Sequence, residues 1–401
     1  MTRGEIFTAR VERIAAGGAG IARLDGKSIF IELTAPGDLV CFHIRNDHKN
    51  WAEGELVEIT EPSSLRTVPV CHLYGRCGGC CLQHLSYEAQ IEAKTEILRN
   101  AFTRIGKFTP PRITARGSVP FEYRNRVHFH CLYSDENLSK PSLGFKERKS
   151  SRLVVLEDCP VADGGIRKAL KAGTINAPPG RKRFTVYSRL NTFLSEGGTE
   201  QGRVTILDRE LAIDAGVFFQ SNAAALELLI RDIIALASNA DRNLPMADIY
   251  CGVGTFSSFL CGNYNVNDNY PGFSEIDLVE ENKDALTLAR ENVRGKKVNF
   301  HALTDNAWVK SQGNDSASRH WGFMVLDPPR EGLSGPLREF LARAGPDLMA
   351  YVSCDPATLA RDSRSLLEGG YELKELTLYD FYPQTAHIES LAVFGRSKNN
   401  E

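Results

Sequence analysis

What most restricts the fold of this 401-residue chain is a change of rhythm after about Gly216. From there, short apolar runs alternate with helical patterns. Met246-Ala-Asp-Ile-Tyr-Cys-Gly-Val-Gly-Thr255 reads as a buried strand entering a glycine turn, with Phe256–Leu260 helical behind it. Ser274–Val279 is the next strand and ends in Glu280. Gly322–Leu326 follows, closed by Asp327-Pro-Pro-Arg330, and then Leu348–Val352, stopped by Pro356 just past Cys354. Strands alternating with helices form a mostly parallel, doubly wound α/β sheet, and ligands bind at the carboxyl ends of its strands. Gly252, Gly254, Thr255, Glu280, Asp327 and Cys354 all fall on that edge.

Gly252 and Gly254 let a cofactor approach the backbone at a helix start. Glu280 is placed to hydrogen-bond a ribose diol, and the long loop 262–272 absorbs the extra spacing before it. The pattern suits a dinucleotide or S-adenosylmethionine (SAM), and on the residues alone NAD stays open. Cys354 precedes a helix start, where the positive end of the dipole is expected to favour its thiolate.

The first sixty residues differ in kind. Ile6–Ile14, Gly20–Leu24, Ser28–Ile31, Leu39–Asn46 and Glu53–Ile59 are short alternating strands divided by Gly17-Gly18, Asp25-Gly26 and Pro36-Gly37-Asp38. Five such strands predict a small barrel of the oligonucleotide-binding kind over residues 1–62. Residues 63–215 form a central, strand-rich region, and residues 216–401 the α/β domain.

The central region opens with Cys71-x5-Cys77-Gly-Gly-Cys80, and Cys159-Pro160 comes much later. Four thiolates suit zinc or an iron–sulfur cluster, and the three-plus-one spacing with a following proline leans toward [4Fe–4S]. Cys81, next to Cys80, should point elsewhere. Ser86–Ile105 has helical spacing, and Phe121–His130 alternates as a strand with Arg124, Arg126 and His128 on one face. Net charge is −2 overall, but residues 94–190 carry 20 Lys/Arg against 8 Asp/Glu. A basic middle with interleaved aromatics fits RNA contact by phosphate pairing and base stacking. The N-terminus lacks the apolar core of a signal peptide and no run is long enough to span a bilayer, so a cytoplasmic protein with no membrane partner is expected. Its ten cysteines are then expected to be reduced.

Methylases of exocyclic amines place an aromatic after Asp-Pro-Pro to stack on the base, and Arg330 stands there instead. Ring carbon is then the better acceptor, and pyrimidine C5 becomes nucleophilic only after something adds at C6. Cys354 can do that. Glu389 or His387, in Thr385-Ala-His-Ile-Glu389, can serve as the base that removes the C5 proton.

Taken together, the chain resembles the SAM-dependent RNA uracil-C5 methyltransferases that carry an N-terminal TRAM barrel and a [4Fe–4S] cluster. The likeness rests on the four cysteines, Phe218-Phe-Gln220-Ser-Asn222, the Asp248–Thr255 loop, Leu326-Asp-Pro-Pro-Arg330, Ser353–Asp362 and His387-Ile-Glu389. It implies a Rossmann-like methyltransferase domain, with Cys354 as nucleophile and Glu389 as base. Gln220, Tyr250, Thr255, Glu280 and Asp327 would lie around the cofactor and target base, and Cys71, Cys77, Cys80 and Cys159 would hold the cluster. It also implies a monomer, with the helix after the cysteine loop packing on the catalytic domain. The implied substrate is 23S ribosomal RNA, with transfer RNA as the alternative. An amino-group methylase and a non-catalytic iron–sulfur RNA-binding protein are the other readings. Two departures stand out. Asp355 replaces the family's usual asparagine and would raise the Cys354 pKa unless it turns away or pairs with Arg361. The Ala302–Asn306 loop offers no clean match for the adenine contact.

Overall fold

A computed structural model describes residues 5–134, 137–262, 272–295, 297–313 and 319–396, so most of the predicted 262–272 loop lies outside the described residues. In chain order the strands are β1 (Ile6–Ile14), β2 (Gly20–Leu24), β3 (Lys27–Ile31), β4 (Leu39–Asp47), β5 (Trp51–Glu61), β6 (Ile113–Arg116), β7 (Arg126–Ser134), β8 (Asn137–Lys146), β9 (Leu153–Val155), β10 (Arg183–Arg189), β11 (Thr192–Ser195), β12 (Gln201–Ile206) and β13 (Arg209–Asp214). They continue as β14 (Met246–Ile249), β15 (Ile276–Val279), β16 (Val298–His301), β17 (Phe323–Leu326), β18 (Leu348–Ser353), β19 (Tyr371–Tyr379) and β20 (Glu389–Arg396). The helices are α1 (Tyr87–Ala101), α2 (Gly164–Ala172), α3 (Ala223–Ala237), α4 (Thr255–Leu260), α5 (Lys283–Asn292), α6 (Asp305–Ser311), α7 (Gly335–Ala344) and α8 (Pro356–Glu368).

Two compact units result. One comprises the chain up to Ile97, Val119–Phe184 and Tyr382–His387; the other comprises Leu98–Ser118, Thr185–Phe381 and the chain from Ile388 on. In the first, β1–β5 close into a barrel of order β1-β2-β3-β5-β4. Its alternation buries Val11, Ala22, Ile29, Ile31, Val40, Phe42 and Ala52 as one core. Below it, buried Gln90 and Lys94 on α1 fasten the returning segment 382–387. Gln90 exchanges hydrogen bonds with Gln384, and the Lys94 ammonium donates to the Tyr382 carbonyl at 3.0 Å.

Expectation and structure part between residues 121 and 130. Glu122 takes φ +55°, and the strand begins only at Arg126. Arg126 is buried and donates to the His128 ring at 2.9 Å, while Arg124 lines the cysteine pocket. The expected shared face is therefore broken: Arg126 is buried against the His128 ring, while half-buried Arg124 faces the cysteine pocket. The predicted helix also changes character, since residues 102–106 continue α1 as a π turn that packs Gly106 against the Ala360 carbonyl on α8.

The second unit is built on an eight-stranded sheet of order β16-β15-β14-β17-β18-β20-β19-β6. β14 to β18 are mutually parallel where they pair, and β20 runs antiparallel between β18 and β19. Every residue of β14, β15 and β17 is buried, as expected of strands covered by helices on both faces. The order reverses between β14 and β17, so the crevice of this sheet opens at their carboxyl ends. No described helix is long and apolar enough to cross a membrane.

Candidate active site

The crevice begins with the turn after β14. Tyr250, Gly252 and Gly254 all have left-handed backbones, with φ of +65°, +54° and +76°. The two glycines are needed for different reasons. A Cβ on Gly254 would lie 2.7 Å from Val293 Cγ2, so α5 packs directly on that backbone, whereas a Cβ on Gly252 would meet nothing within 4 Å. Gly252 faces open space of the kind a cofactor fills. Its N–H donates to Glu280 Oε2 at 3.0 Å, and the Asn282 N–H donates to Oε1 at 2.8 Å. These bonds orient the carboxylate at the end of β15 and leave it further acceptor capacity. Thr255 opens α4, and buried Gln220 lies two residues before Asn222, the cap of α3.

Within the 302–306 loop, Asp305 is drawn to the crevice edge. Its Oδ2 accepts from the Tyr250 hydroxyl at 2.6 Å and from the Ser334 N–H at 3.3 Å. No linear pattern revealed this, because it joins the ends of β14 and β16 to the cap of α7. Asp248 is fully buried with Oδ2 accepting from Ser257 Oγ at 2.6 Å, and its Oδ1 has no partner.

Strand register assembles the other half of the site. Leu326 pairs with Tyr351 in the parallel β17–β18 ladder, which sends Asp327 out beside the end of β18. Ser353 pairs with Ser390 in the antiparallel β18–β20 ladder, and the Ser390 hydroxyl donates to the Ser353 carbonyl at 3.3 Å. One step further out, Cys354 and Glu389 stand opposite each other. His387 belongs to the other unit, with its ring edge-on to Tyr382.

The electrostatics overturn one expectation. Burial pushes the Cys354 thiol up to about 12, the Glu389 and Asp327 carboxyls add to the rise, and Arg330 offsets part of it. Desolvation and the two neighbouring acids act against the favourable end of the α8 dipole. Asp355, by contrast, turns away: its Oδ1 accepts from the Ala357 and Thr358 N–H groups at 2.9 Å each, capping α8. Arg361 pairs with Asp362 rather than Asp355. Asp327 rises to about 7 through burial and the nearby Asp248, and Asp248 to about 7 mainly through burial. Glu389, only 4% exposed, rises well above the usual carboxylate range through burial and then Asp327.

The four predicted cysteine ligands share a pocket in the first unit. Cys71, Cys77, Cys80 and Cys159 line a space of about 410 Å³, mouth included, with Arg124, Tyr74 and Gln83. Among the described residues no three His, Cys, Asp or Glu side chains converge as a single metal ion demands. The four thiols line one pocket without converging on a point. N–H donors already point at sulfur: Gly79 N–H reaches Cys77 Sγ at 3.4 Å, and the Gln83 side chain hydrogen-bonds Cys80. The Arg124 guanidinium acts on Cys77, Cys80 and Cys159 together. Four thiols beside N–H donors and a guanidinium are chemically compatible with a cluster, and the described residues show no metal site. Cys81 packs toward Gly18 of the barrel.

Comparison with known proteins gives a consistent picture. A tRNA (uracil-5-)-methyltransferase family model matches residues 199–397, and a TRAM domain model matches residues 1–57. An RNA methyltransferase of uncharacterised specificity from Treponema denticola is 32% identical over 97% of this chain and 98% of its own. A 23S rRNA (uracil(1939)-C(5))-methyltransferase from Legionella pneumophila is 29% identical over 96% of each chain. The crystal structure of a Pyrococcus abyssi tRNA (uracil-54, C5)-methyltransferase with S-adenosyl-L-homocysteine superposes with a TM-score of 0.71 at 23% identity, covering 97% of this chain and all of that one.

Proposed function

The chain belongs to the tRNA (uracil-5-)-methyltransferase family, and from that membership we propose that it transfers a methyl group from SAM to C5 of a uridine in 23S ribosomal RNA. The observation that carries the reading is the register that sets Cys354 opposite Glu389, with Asp327 beside them. The Cys354 sulfur, once deprotonated, adds to C6 of the uracil, and the electron pair moves into a C5 enolate. C5 displaces the sulfonium, so the methyl–sulfur bond breaks as the new carbon–carbon bond forms and S-adenosylhomocysteine leaves. Glu389 removes the C5 proton, and the electrons of that bond expel the Cys354 thiolate. Overall one proton is released.

Gly252, Gly254, Thr255, Glu280, Tyr250 and Gln220 form the cofactor side, with Glu280 toward the ribose. Asp305, which the Tyr250 hydroxyl holds in place, is suited to the adenine amino group. Asp327 faces the target base. Cys71, Cys77, Cys80 and Cys159 would hold a [4Fe–4S] cluster, which, because methyl transfer is redox-neutral, would serve as a staple of the central region. Residues 1–62 and 63–215 then engage RNA, and residues 216–401 perform the transfer.

The relatives that act on 23S rRNA are 29% identical over nearly the whole chain, against 23% for the tRNA (uracil-54, C5)-methyltransferase, which supports ribosomal RNA over transfer RNA. Incubation with SAM and 23S rRNA containing 5-fluorouridine tests the proposal. Fluorine cannot leave as a proton does, so the expected product is a stable RNA–protein adduct on the peptide bearing Cys354. Methyl label on an exocyclic amine, or an adduct lacking residue 354, rejects it.

A further inference from the structure

Resting on that reading, we propose that Asp362 is a positioning residue that fixes the spacing between the Asp327 loop and the Cys354 loop. Asp362 lies on α8, is fully buried, and touches none of the reacting atoms. Its carboxylate gathers donors from four separate segments. Oδ2 accepts from the Tyr351 hydroxyl at 2.8 Å and from the Leu333 N–H at 2.9 Å. Oδ1 accepts from Arg338 Nη1 at 3.1 Å and Arg361 Nε at 2.8 Å.

Those donors bracket both chemical residues. Tyr351 is three residues before Cys354 on β18, and Asp362 is eight after it on the helix that the Cys354 loop feeds. Leu333 closes the loop that starts at Asp327. Around the carboxylate, Arg361 Nη2 donates to the Glu331 carbonyl at 2.9 Å and Thr358 Oγ1 to the Arg330 carbonyl at 3.1 Å. The whole 330–333 segment is thus bound to the first two turns of α8. Gly332 completes the fit, since at φ +74° a Cβ there would come within 2.5 Å of Asp362 Oδ2.

Two β-strand ends and a helix would lie near one another without this carboxylate. Their relative position along the crevice would not be fixed, because the Pro328–Leu333 segment has no ladder to lock its register. A misplacement of about 1 Å between reacting groups costs about 100-fold in rate. The Gly252–Glu280 end of the cofactor side hydrogen-bonds neither Asp362 nor its donors, and Asp305 is tied to that network only through Ser334, the neighbour of Leu333, so SAM affinity reports on a part of the site that Asp362 does not hold directly.

The test is the rate of the 5-fluorouridine adduct, measured beside SAM affinity, for Asp362→Asn and for Tyr351→Phe. Asp362→Asn replaces an acceptor facing Tyr351 and Leu333 with a donor, or one facing the two arginines. The expected result is an adduct rate at least about 100-fold lower with SAM affinity within about threefold. Tyr351→Phe removes a single donor, keeps the ring and guards against misfolding of the first variant. Its expected result is a kcat reduced about 3- to 10-fold, with the KM for SAM unchanged. Equal loss of adduct rate, SAM affinity and thermal stability would mean a merely structural carboxylate and overturn the inference. So would adduct formation at the unaltered rate in Tyr351→Phe. Failure of the unaltered protein to form any adduct sinks the catalytic reading itself, and this inference with it.

Discussion

Each unit buries carboxylates, in whole or in part, and the two treat them in opposite ways. In the first, Asp38 is fully buried but receives Arg66 Nη2 at 2.7 Å, with the Ala35 and Ser63 N–H groups at 2.6 and 2.8 Å. Burial alone would push its pKa up, and these partners together hold it below the ordinary value. Asp158, gripped by Arg167 through two bonds of 2.8 Å, is likewise held low. In the second unit, Asp248, Asp327 and Glu389 have raised pKa values, and the charge acting most on each after burial or local hydrogen bonds is another carboxylate. Desolvation is common to both sets, and the sign of the neighbour decides the outcome. The first pattern secures a fold. The second leaves an unmet demand for positive charge, which suits the cationic sulfonium that the proposed reaction would consume there.

The sharpest way to break this contrast is to remove the thiol that shares the catalytic edge with those acids. Cys354→Ala is expected to lower methylation of 23S rRNA by about 10⁴-fold or more, measured as methyl transfer from labelled SAM. The melting temperature should barely move, because residue 354 supports no strand ladder. Activity retained in this variant would instead favour the amino-group chemistry open to Asp327-Pro-Pro.

The opposite substitution is at the partner of a barrel carboxylate. Arg66→Met leaves Asp38 buried without its cation, and the expected cost is about 3–5 kcal/mol, read from urea unfolding of the full chain. SAM affinity should be unchanged. The pH dependence carries the sign: Asp38 has a lowered folded pKa, so its contribution is present above the ordinary aspartate value and is lost as pH falls through the folded one. The variant and the unaltered protein should therefore converge in stability under acid.

How far these sites could be read from sequence follows the range of the forces that build them. The barrel strands were legible because Ile6–Ile14 and Gly20–Leu24 alternate cleanly between glycine turns. The ends of β14, β15, β17 and β18 were legible because these strands, apart from buried Asp248 and Asp277, are apolar up to a glycine turn or a residue such as Glu280 or Asp327. β6 and β19 escaped notice, since Ile113–Arg116 pairs with a strand some 260 residues later and carries only one apolar side chain besides an alanine. Asp305 and Asp362 escaped as participants for a related reason. Each is defined by donors from distant segments, which no local spacing encodes. The ionisation of Cys354 was misjudged because a helix terminus is visible in sequence, whereas burial beside Glu389 and Asp327 is not.

The smallest effect is the most direct reading of the electrostatic contrast. Asp327 carries a folded pKa of about 7 against an ordinary 3.8. A carboxyl with a raised folded pKa stabilises most below its unfolded value, and that contribution fades as pH rises through the folded one. At pH 8 Asp327 is ionised in both states and the folded protein bears the strain of an ionised group beside Asp248. Asp327→Asn removes the charge while keeping the shape, so it should raise the melting temperature at pH 8 by about 2–4 °C, the response of a unit this size to about 1 kcal/mol. At pH 4 the same substitution should gain little, because the folded protein already holds that proton. SAM should weaken the difference by supplying the missing cation, and methylation by the variant should fall even as its stability rises. A melting temperature that drops equally at both pH values would place Asp327 with Asp38 among the paired, structural acids and erase the distinction between the two units.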